Sequence, residues 1–265
     1  MAVHEIARRL AERMMFGVPG SIDRGTLIAA LNGMIVVVFA SYDKAPSDLA
    51  DPLMLSALTQ EERTRLSSII DGCRKTEFLV GRLMVRCILS LLLDTPPPTV
   101  PIRLNSRGRP ILRLPSLVDY DFNLSHSHGH LMLGISRLGH VGVDVELGAC
   151  HDLTLARRFM TTIELTRLMQ MPSGDRGARV ARIWTIKEAW SKALGNGLRV
   201  PLRHLCTGLM LETQTTTTQW CTIRDIAVPA AVSRVCDHPI ADQLRYRPFF
   251  VTLSQLREFI TRFDR

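Results

Sequence analysis

A strict alternation of side chains over residues 141–147, VGVDVEL, constrains the fold of this chain more than any other stretch. Neighbouring side chains of a β-strand point to opposite faces, so the valines and the leucine share one face, and Gly142, Asp144 and Glu146 share the other. The apolar face predicts a strand packed on a core, and the glycine leaves room beside two carboxylates. An ordinary strand with one face in solvent has the same alternation, so this pattern alone does not establish a site.

The stretch 184–192, WTIKEAWSK, predicts a helix because apolar residues recur along it at helical spacing. Glu188 and Lys192 stand one turn apart on a second face of that helix. A Glu–Lys pair at this spacing is also the common exposed pair of a helix, which contributes roughly 0.2–0.5 kcal/mol. If the helix lies beside the strand, however, Glu188 joins Asp144 and Glu146 in an all-oxygen site of the kind that suits Mg²⁺.

Composition and charge limit the class of protein. The chain has 265 residues, of which 46% are hydrophobic and 22% charged, which suits one large domain or two modest ones. It has no run of 18 apolar residues, so we expect no membrane span. Its six cysteines include no CxxC pair and predict reduced, mostly buried thiols in a cytoplasmic protein. The net charge of +8 favours an anionic partner, while an aromatic content of only 6% argues against nucleic acid.

Strand-like and helix-like segments alternate along the chain and predict a mixed α/β (α+β) fold. We predict an N-terminal extension over residues 1–30, a first α/β half over 31–137 and a second α/β half over 138–265. Thr59 and Glu62 form a capping box at the start of a helix. The predicted strands are 34–41, 131–136, 141–147 and parts of a tail over 205–250; the predicted helices are 58–71, 74–93, 153–170, 178–194 and 253–263.

Four short motifs in a fixed order are similar to those of a known family. They are the turn GRP at 108–110, the block NLSHS at 123–127, the strand VGVD at 141–144, and, forty positions after Asp144, WTIKE at 184–188 with Lys192. In this order they resemble the 4′-phosphopantetheinyl transferases, specifically the Sfp type, which is built from two halves. The strand also carries the Glu146 that is typical of the Sfp type. The resemblance extends over about residues 34–260.

The resemblance implies a fold of two similar α/β halves related by a pseudo-twofold axis, with the active site in the cleft between them. It implies Mg²⁺ as the cofactor and coenzyme A as a co-substrate. The implied metal ligands are Asp144, Glu146 and Glu188; the implied coenzyme A contacts are Arg65, Arg109, Ser125, His126 and Lys192; and the implied catalytic residues are Glu188, Lys192 and His126.

The implied reaction moves 4′-phosphopantetheine from coenzyme A to a serine of an apo carrier protein and releases 3′,5′-ADP. Such carriers belong to fatty acid, polyketide or non-ribosomal peptide synthases. We expect a cytoplasmic monomer that binds neither nucleic acid nor membrane. The chain departs from the family pattern at Glu62 and Glu77, where basic residues often meet the 3′-phosphate, and at His128, where glycine is usual.

Three other interpretations stay open at this level. A basic protein with clustered carboxylates and a lysine also has the chemistry of a Mg²⁺-dependent nuclease. A non-catalytic homologue that binds coenzyme A or a carrier protein would keep the same motifs. His126, His128 and His130 alternate along the chain and suggest a transition-metal site, although zinc requires four ligands at a fixed geometry.

Overall fold

The two larger sheets of the described residues pack face to face, and a long helix covers the outer face of each; β2 and β3 form a separate two-stranded sheet. The structure is a computed structural model. It describes residues 22–42, 49–114, 120–147, 153–195, 201–205, 207, 218–223, 229–235 and 244–263.

The elements alternate along the chain much as the sequence predicts. The helices are α1 (Arg24–Leu31), α2 (Pro52–Ser56), α3 (Gln60–Ser68), α4 (Gly72–Leu93), α5 (Leu153–Phe159), α6 (Thr162–Met169), α7 (Ser173–Ala193) and α8 (Leu253–Thr261). The strands are β1 (Ile35–Ser41), β2 (Ile102–Leu104), β3 (Pro110–Leu112), β4 (Asp121–Ser127), β5 (His130–Ser136), β6 (His140–Val145), β7 (Thr218–Thr222), β8 (Ala230–Val235) and β9 (Tyr246–Val251). The prediction of a mixed α/β fold is therefore confirmed.

The first sheet has the strand order β4-β5-β1-β9, and the second has the order β6-β8-β7. All neighbours are antiparallel except β1 and β9, which are parallel. A parallel neighbour needs a crossover, and here the crossover contains the whole second sheet. Strand β9 and helix α8 therefore belong with the first sheet, although the sequence placed them in the second half, and Leu256 and Phe259 of α8 join the same core as α4.

Strand β1 is buried on both faces, which explains its continuous apolar sequence. Val36 and Val38 point into a core formed with α4. Val37 and Phe39 point into a second core, formed with the valines of β6 and β8. The layers therefore run α4, first sheet, second sheet, α7.

Helix α7 lies directly on β6, and Gly142 allows this close approach. A Cβ atom at Gly142 would overlap the carbonyl oxygen of Ala189 and crowd the amide nitrogen of Ala193, both on α7. Because Asp144 and Glu146 follow Gly142 on the same face of β6, both carboxylates face this helix. The predicted division of β6 into an apolar and a polar face is confirmed, since Val141 and Val143 pack in the core between the sheets.

Lys187 anchors α7 from its opposite side. Its side chain is completely buried, and its Nζ donates to Glu164 Oε2 at 2.7 Å, to the Phe159 carbonyl at 2.7 Å and to the Leu202 carbonyl at 3.0 Å. The other oxygen of Glu164 accepts from the backbone and hydroxyl of Thr207. Burial raises the pKa of Glu164, but these hydrogen bonds outweigh it, so the pKa of Glu164 lies below its ordinary value. Three segments of the second half are therefore tied to one ammonium group.

Some predicted boundaries differ for local reasons. The capping box of Thr59 is confirmed, and a second one at Thr161 splits the predicted helix 153–170 into α5 and α6. Helix α7 begins at Ser173 instead of 178, because Pro172 takes the N-cap position and the polar residues after it form the first turn. The expected extension 1–30 ends earlier, since residues 24–31 form α1 and pack in the first core.

Residues 1–21 of the predicted extension and parts of the predicted tail over 205–250 lie outside the described residues. Cys87 is buried as expected, and burial raises the pKa of its thiol to about 12, but Cys73 is exposed. Within the described ranges, no helix has the length and apolar character to cross a bilayer.

We expect Gly142→Ala to lower the free energy of unfolding by about 1–3 kcal/mol, because the added methyl group collides with the backbone of α7. Urea denaturation of the purified variant measures this. The matched control is Gly174→Ala in α7, where a Cβ meets nothing within 4 Å and stability should stay level or rise by up to about 1 kcal/mol. Equal stabilities of the two variants would contradict the packing of α7 on β6.

We expect Lys187→Met to lower the free energy of unfolding by about 3–5 kcal/mol, because it leaves the buried Glu164 carboxylate without its cation. Adding Glu164→Gln to that variant removes the unpaired charge, so the double variant should lose less than the sum of the two single losses. The same denaturation experiment gives all four values. Strictly additive losses would rule out the ion pair as the anchor.

Candidate active site

Strand β4 meets β6 through side chains instead of backbone hydrogen bonds. Every second side chain of β4 accepts a hydrogen bond from every second backbone N–H along β6 and the residues after it. The pairs are Asp121 Oδ2 with Val141 N at 2.7 Å, Asn123 Oδ1 with Val143 N at 3.0 Å, Ser125 Oγ with Val145 N at 3.3 Å, and Ser127 Oγ with Leu147 N at 3.1 Å. We call these four contacts the seam; they join the edges of the two sheets where the predicted site lies.

The carboxylate of Asp144 is buried beside the seam. Its Oδ1 accepts from Ser125 Oγ at 2.9 Å and from Lys192 Nζ at 2.6 Å, whereas its Oδ2 is buried with no hydrogen-bond partner. Burial raises the pKa of Asp144, and the opposing effects of Lys192 and Ser125 do not cancel that rise. Two residues further on, Glu146 Oε1 accepts from Ser127 Oγ at 2.9 Å.

Glu188 approaches from α7 and is only 8% exposed. Its Oε1 is buried and has no hydrogen-bond partner. Burial raises the pKa of Glu188; Lys192 lowers it, while the negative charges of Asp144 and Glu146 raise it further, so the net shift is upward. The interpretation of Glu188 and Lys192 as an ordinary exposed helix pair is therefore wrong, because α7 is buried on this face.

Two buried carboxylate oxygens without partners, on Asp144 and Glu188, have the chemistry that a divalent cation satisfies. Proteins commonly hold Mg²⁺ by one or two carboxylates and leave the other positions to water and substrate phosphate. The residues therefore fit Mg²⁺. Across the described ranges no three His, Cys, Asp or Glu side chains stand together as a complete metal site, so the three-ligand set with Glu146 stays a prediction.

Lys192 and Arg109 have different positions at this site. The side chain of Lys192 is 25% exposed, and its Nζ also lies 3.0 Å from Ser125 Oγ. Arg109, predicted as a coenzyme A contact, donates to Asp121 at 2.5 Å, to the Val141 carbonyl at 2.8 Å and to the carbonyl of Lys192. Its guanidinium therefore ties β4 and β6 to the last turn of α7.

His126 lies on the other face of β4, toward α4. Its Nδ1 is 3.7 Å from Glu77 Oε2, and about half of its side chain is exposed. Between α4 and β4 is a cavity of about 200 Å³, whose lining includes Glu77, Phe78, Arg82 and His126. A second cavity, of about 500 Å³, shares Glu77 and reaches the turn after β4. Both cavities lie alongside α4, and the first is also lined by Asn123 of the seam; we call the two cavities together the groove.

Arginine side chains flank this groove. The guanidinium groups of Arg65 and Arg82 each lie 5.4 Å from the ring centroid of Phe78. Glu62, where the family often has a basic residue, forms ion pairs with Arg86 and Arg82. At this position, where relatives often have a basic residue, Glu62 is therefore paired with arginines of α4. These arginines were not predicted from the sequence as site residues, although Arg82 follows Phe78 at helical spacing.

Asp121 and Ser127 were also not predicted as site residues. The alternation of polar residues along β4 is the signal that could have identified them. The predicted alternation of three histidines does not form a metal site among the described residues. His126 lines the groove, His128 occupies the turn with a left-handed φ of 48°, and His130 is buried at the start of β5.

Comparisons with known proteins agree in both halves of the chain. The family model described as "4'-phosphopantetheinyl transferase superfamily" matches residues 140–243, and the one described as "4'-phosphopantetheinyl transferase, N-terminal" matches residues 45–137. Among solved structures, a holo-(acyl-carrier-protein) synthase from Bacillus anthracis in complex with CoA is 22% identical and covers 38% of this chain and 92% of its own. Its TM-score of 0.32 is too low to bear on the fold.

Two curated relatives illustrate the similarity. The 4'-phosphopantetheinyl transferase HetI of Nostoc sp. is 32% identical over 162 residues, which are 59% of this chain and 66% of the relative. The 4'-phosphopantetheinyl transferase Sfp of Bacillus subtilis is 27% identical over 157 residues, or 55% of this chain and 69% of the relative. The first four relatives are matched over 57% to 66% of their own length. With one family model on each half and relatives of one kind, this chain belongs to the 4′-phosphopantetheinyl transferase superfamily, in its Sfp type.

Proposed function

We propose that this protein transfers the 4′-phosphopantetheine group of coenzyme A to a serine of an apo carrier protein and releases 3′,5′-ADP. The observation that carries the proposal is the pair of buried, unpartnered carboxylate oxygens on Asp144 and Glu188, set beside Lys192. A buried carboxylate oxygen without a donor is costly in a folded protein unless a ligand supplies the missing interaction. A cation bound together with a substrate phosphate would supply it.

Asp144 and Glu188, with Glu146 as the predicted third ligand, are the residues that would hold Mg²⁺. When bound, the ion would neutralise negative charge on the pyrophosphate of coenzyme A. The groove along α4, whose lining includes Arg82, would receive the nucleotide end of that molecule.

Lys192 provides fixed positive charge at the point where the pyrophosphate must react. Its ammonium has three donors, of which one holds Asp144 and one reaches Ser125, and its partial exposure brings it to the surface of the cleft. His126, which lines the groove on the other face of β4, would donate to another phosphate oxygen. Donors fixed in advance around the reacting phosphate stabilise the charge that develops during transfer.

Glu188 is the proposed general base. The serine oxygen of the carrier forms a bond to the β-phosphorus, the bond from that phosphorus to the bridging oxygen breaks, and 3′,5′-ADP leaves with the electron pair. The serine proton moves to Glu188, directly or through water. A carboxylate within hydrogen-bond reach of the serine hydroxyl, directly or through one water, can accept that proton.

The proposed partner is an apo carrier domain of a fatty acid, polyketide or non-ribosomal peptide synthase. The net charge of +8 suits an acidic partner, because complementary charge speeds encounter. The cytoplasmic location and the monomeric state stay predictions.

The direct test incubates the protein with coenzyme A, Mg²⁺ and several apo carrier proteins, and then weighs each carrier by mass spectrometry. We expect a mass gain of one phosphopantetheine group and no gain when EDTA removes the metal. Parallel incubation with labelled DNA should leave the DNA intact. Unmodified carriers throughout, with the protein folded, would refute the proposed activity.

We expect Glu188→Gln to abolish the mass gain while the variant stays folded. Glutamine keeps the shape of the side chain but neither accepts the serine proton nor binds a cation as a carboxylate does. Because burial disfavours the charged form of Glu188, the melting temperature in EDTA should stay level or rise.

Glu258→Gln on the exposed face of α8 is the matched control, since it removes the same charge far from the seam. It should keep full transfer activity and an unchanged melting temperature. Full activity of Glu188→Gln would exclude the assigned role of Glu188.

A further inference from the structure

We infer that Glu77 is a specificity-determining residue that weakens recognition of the 3′-phosphate of coenzyme A, so that the protein also binds the analogue that lacks this phosphate. The inference rests on the proposed function, in which the groove receives the nucleotide end of coenzyme A. That end has a phosphate monoester on its ribose, with a charge of about −1.5 to −2 at neutral pH.

Glu77 lines both cavities of the groove. It lies in the second turn of α4, and 28% of its side chain is exposed. Its carboxylate is therefore open to the groove, where a bound nucleotide would meet it. An acidic side chain at this place opposes an anionic ligand, because two like charges repel each other at close range.

The basic side chains that line the first cavity each have a carboxylate beside them. Among the described residues these are His126, whose Nδ1 is 3.7 Å from Glu77 Oε2, and Arg82, whose Nε is 3.8 Å from Glu62 Oε1. A cation beside a carboxylate attracts a phosphate less strongly than an unpaired cation does, because the two charges largely cancel at a distance. His126 can donate to a phosphate oxygen, but together with Glu77 it adds no net positive charge in either protonation state.

The charge of Glu77 also acts on Tyr42, which lines the second cavity. Burial, then the negative charge of Glu77 and then the thiolate of Cys73 raise the pKa of Tyr42 to about 12. The carboxylate thus disfavours the gain of negative charge by another group of the same cavity. A phosphate placed in the groove is subject to the same repulsion.

The size of the effect follows from Coulomb's law. At a separation of about 7 Å in solvent, a carboxylate weakens the binding of a phosphate monoester by about 3–10-fold once salt screening is included. We therefore expect the parent protein to bind coenzyme A less than about tenfold more tightly than 3′-dephospho-coenzyme A. Both ligands suit the proposed transfer, since the bond that breaks lies in the pyrophosphate, which both contain.

The test measures the Kd of coenzyme A and of 3′-dephospho-coenzyme A by isothermal titration calorimetry, with the whole chain, Mg²⁺ and no carrier protein. The readout is the ratio of the two Kd values in each variant. Glu77→Gln should raise the preference for coenzyme A about 3–10-fold over the parent, and Glu77→Arg should raise it further. In about 0.5 M KCl the three ratios should converge, because salt screens exposed charges.

The matched control is Glu258→Gln. Glu258 is exposed on α8 and is not part of the lining of the groove, so the ratio should stay that of the parent. This variant separates a local effect of Glu77 from the change in the net charge of the protein. Thermal melting verifies that each variant is folded at the temperature of the titration.

Two results would overturn the inference. One is a ratio that is the same in the parent, in Glu77→Gln and in Glu77→Arg. The other is a folded parent that prefers coenzyme A by more than about tenfold, or that binds neither ligand. Because binding is measured without a carrier protein, failure of the transfer reaction is a separate result that bears on the proposed activity alone.

Discussion

The seam between β4 and β6 is the contact on which the site depends. The exposed edge of a sheet presents backbone N–H groups that must find acceptors, and most proteins supply them with another strand. Here the side chains of β4 supply them, so the two sheets remain separate layers while their edges stay in a fixed register. A slip of one residue would turn the polar side chains of β4 away from β6 and the carboxylates of β6 away from α7. The register of the seam and the geometry of the site are therefore one constraint.

Adjacent residues of α7 illustrate how one short motif serves both stability and chemistry. Lys187 points into the second half, where Glu164 and two carbonyl groups take all three of its protons. Glu188 lies on a different face of the helix, toward β6, and keeps an oxygen without a partner. The contacts of Lys187 therefore hold the helix in place while Glu188 keeps a buried carboxylate oxygen without a hydrogen-bond partner, which is energetically unfavourable. Gly142 completes this arrangement, because only a residue without a side chain lets the helix come so close.

Periodicity predicted much of the fold and part of the site. The alternation in β6 identified the two faces correctly, and the capping box at Thr59 marked a real helix start, because both are local patterns. The hydrogen bonds of Ser125 could not be predicted from the sequence, since its partners lie 19 to 67 residues away and depend on how two sheets meet. The start of α7 was misplaced because serine, glycine and aspartate favour loops and first helical turns alike. The place of β9 also depends on pairing between distant segments, which no local pattern encodes.

The parallel pairing of β1 with β9 has a consequence for synthesis on the ribosome. Ile35 pairs with Tyr246, so the edge of the first sheet at β1 stays open until β9 has been synthesised. Domains usually fold as units while the chain emerges, and strand pairs of such long separation form slowly. Before β9 is synthesised, a sheet of β4, β5 and β1 would have the apolar strand β1 at an exposed edge. Unpaired edges of this kind favour aggregation. The first sheet therefore gains its β9 strand only after the second sheet has been synthesised.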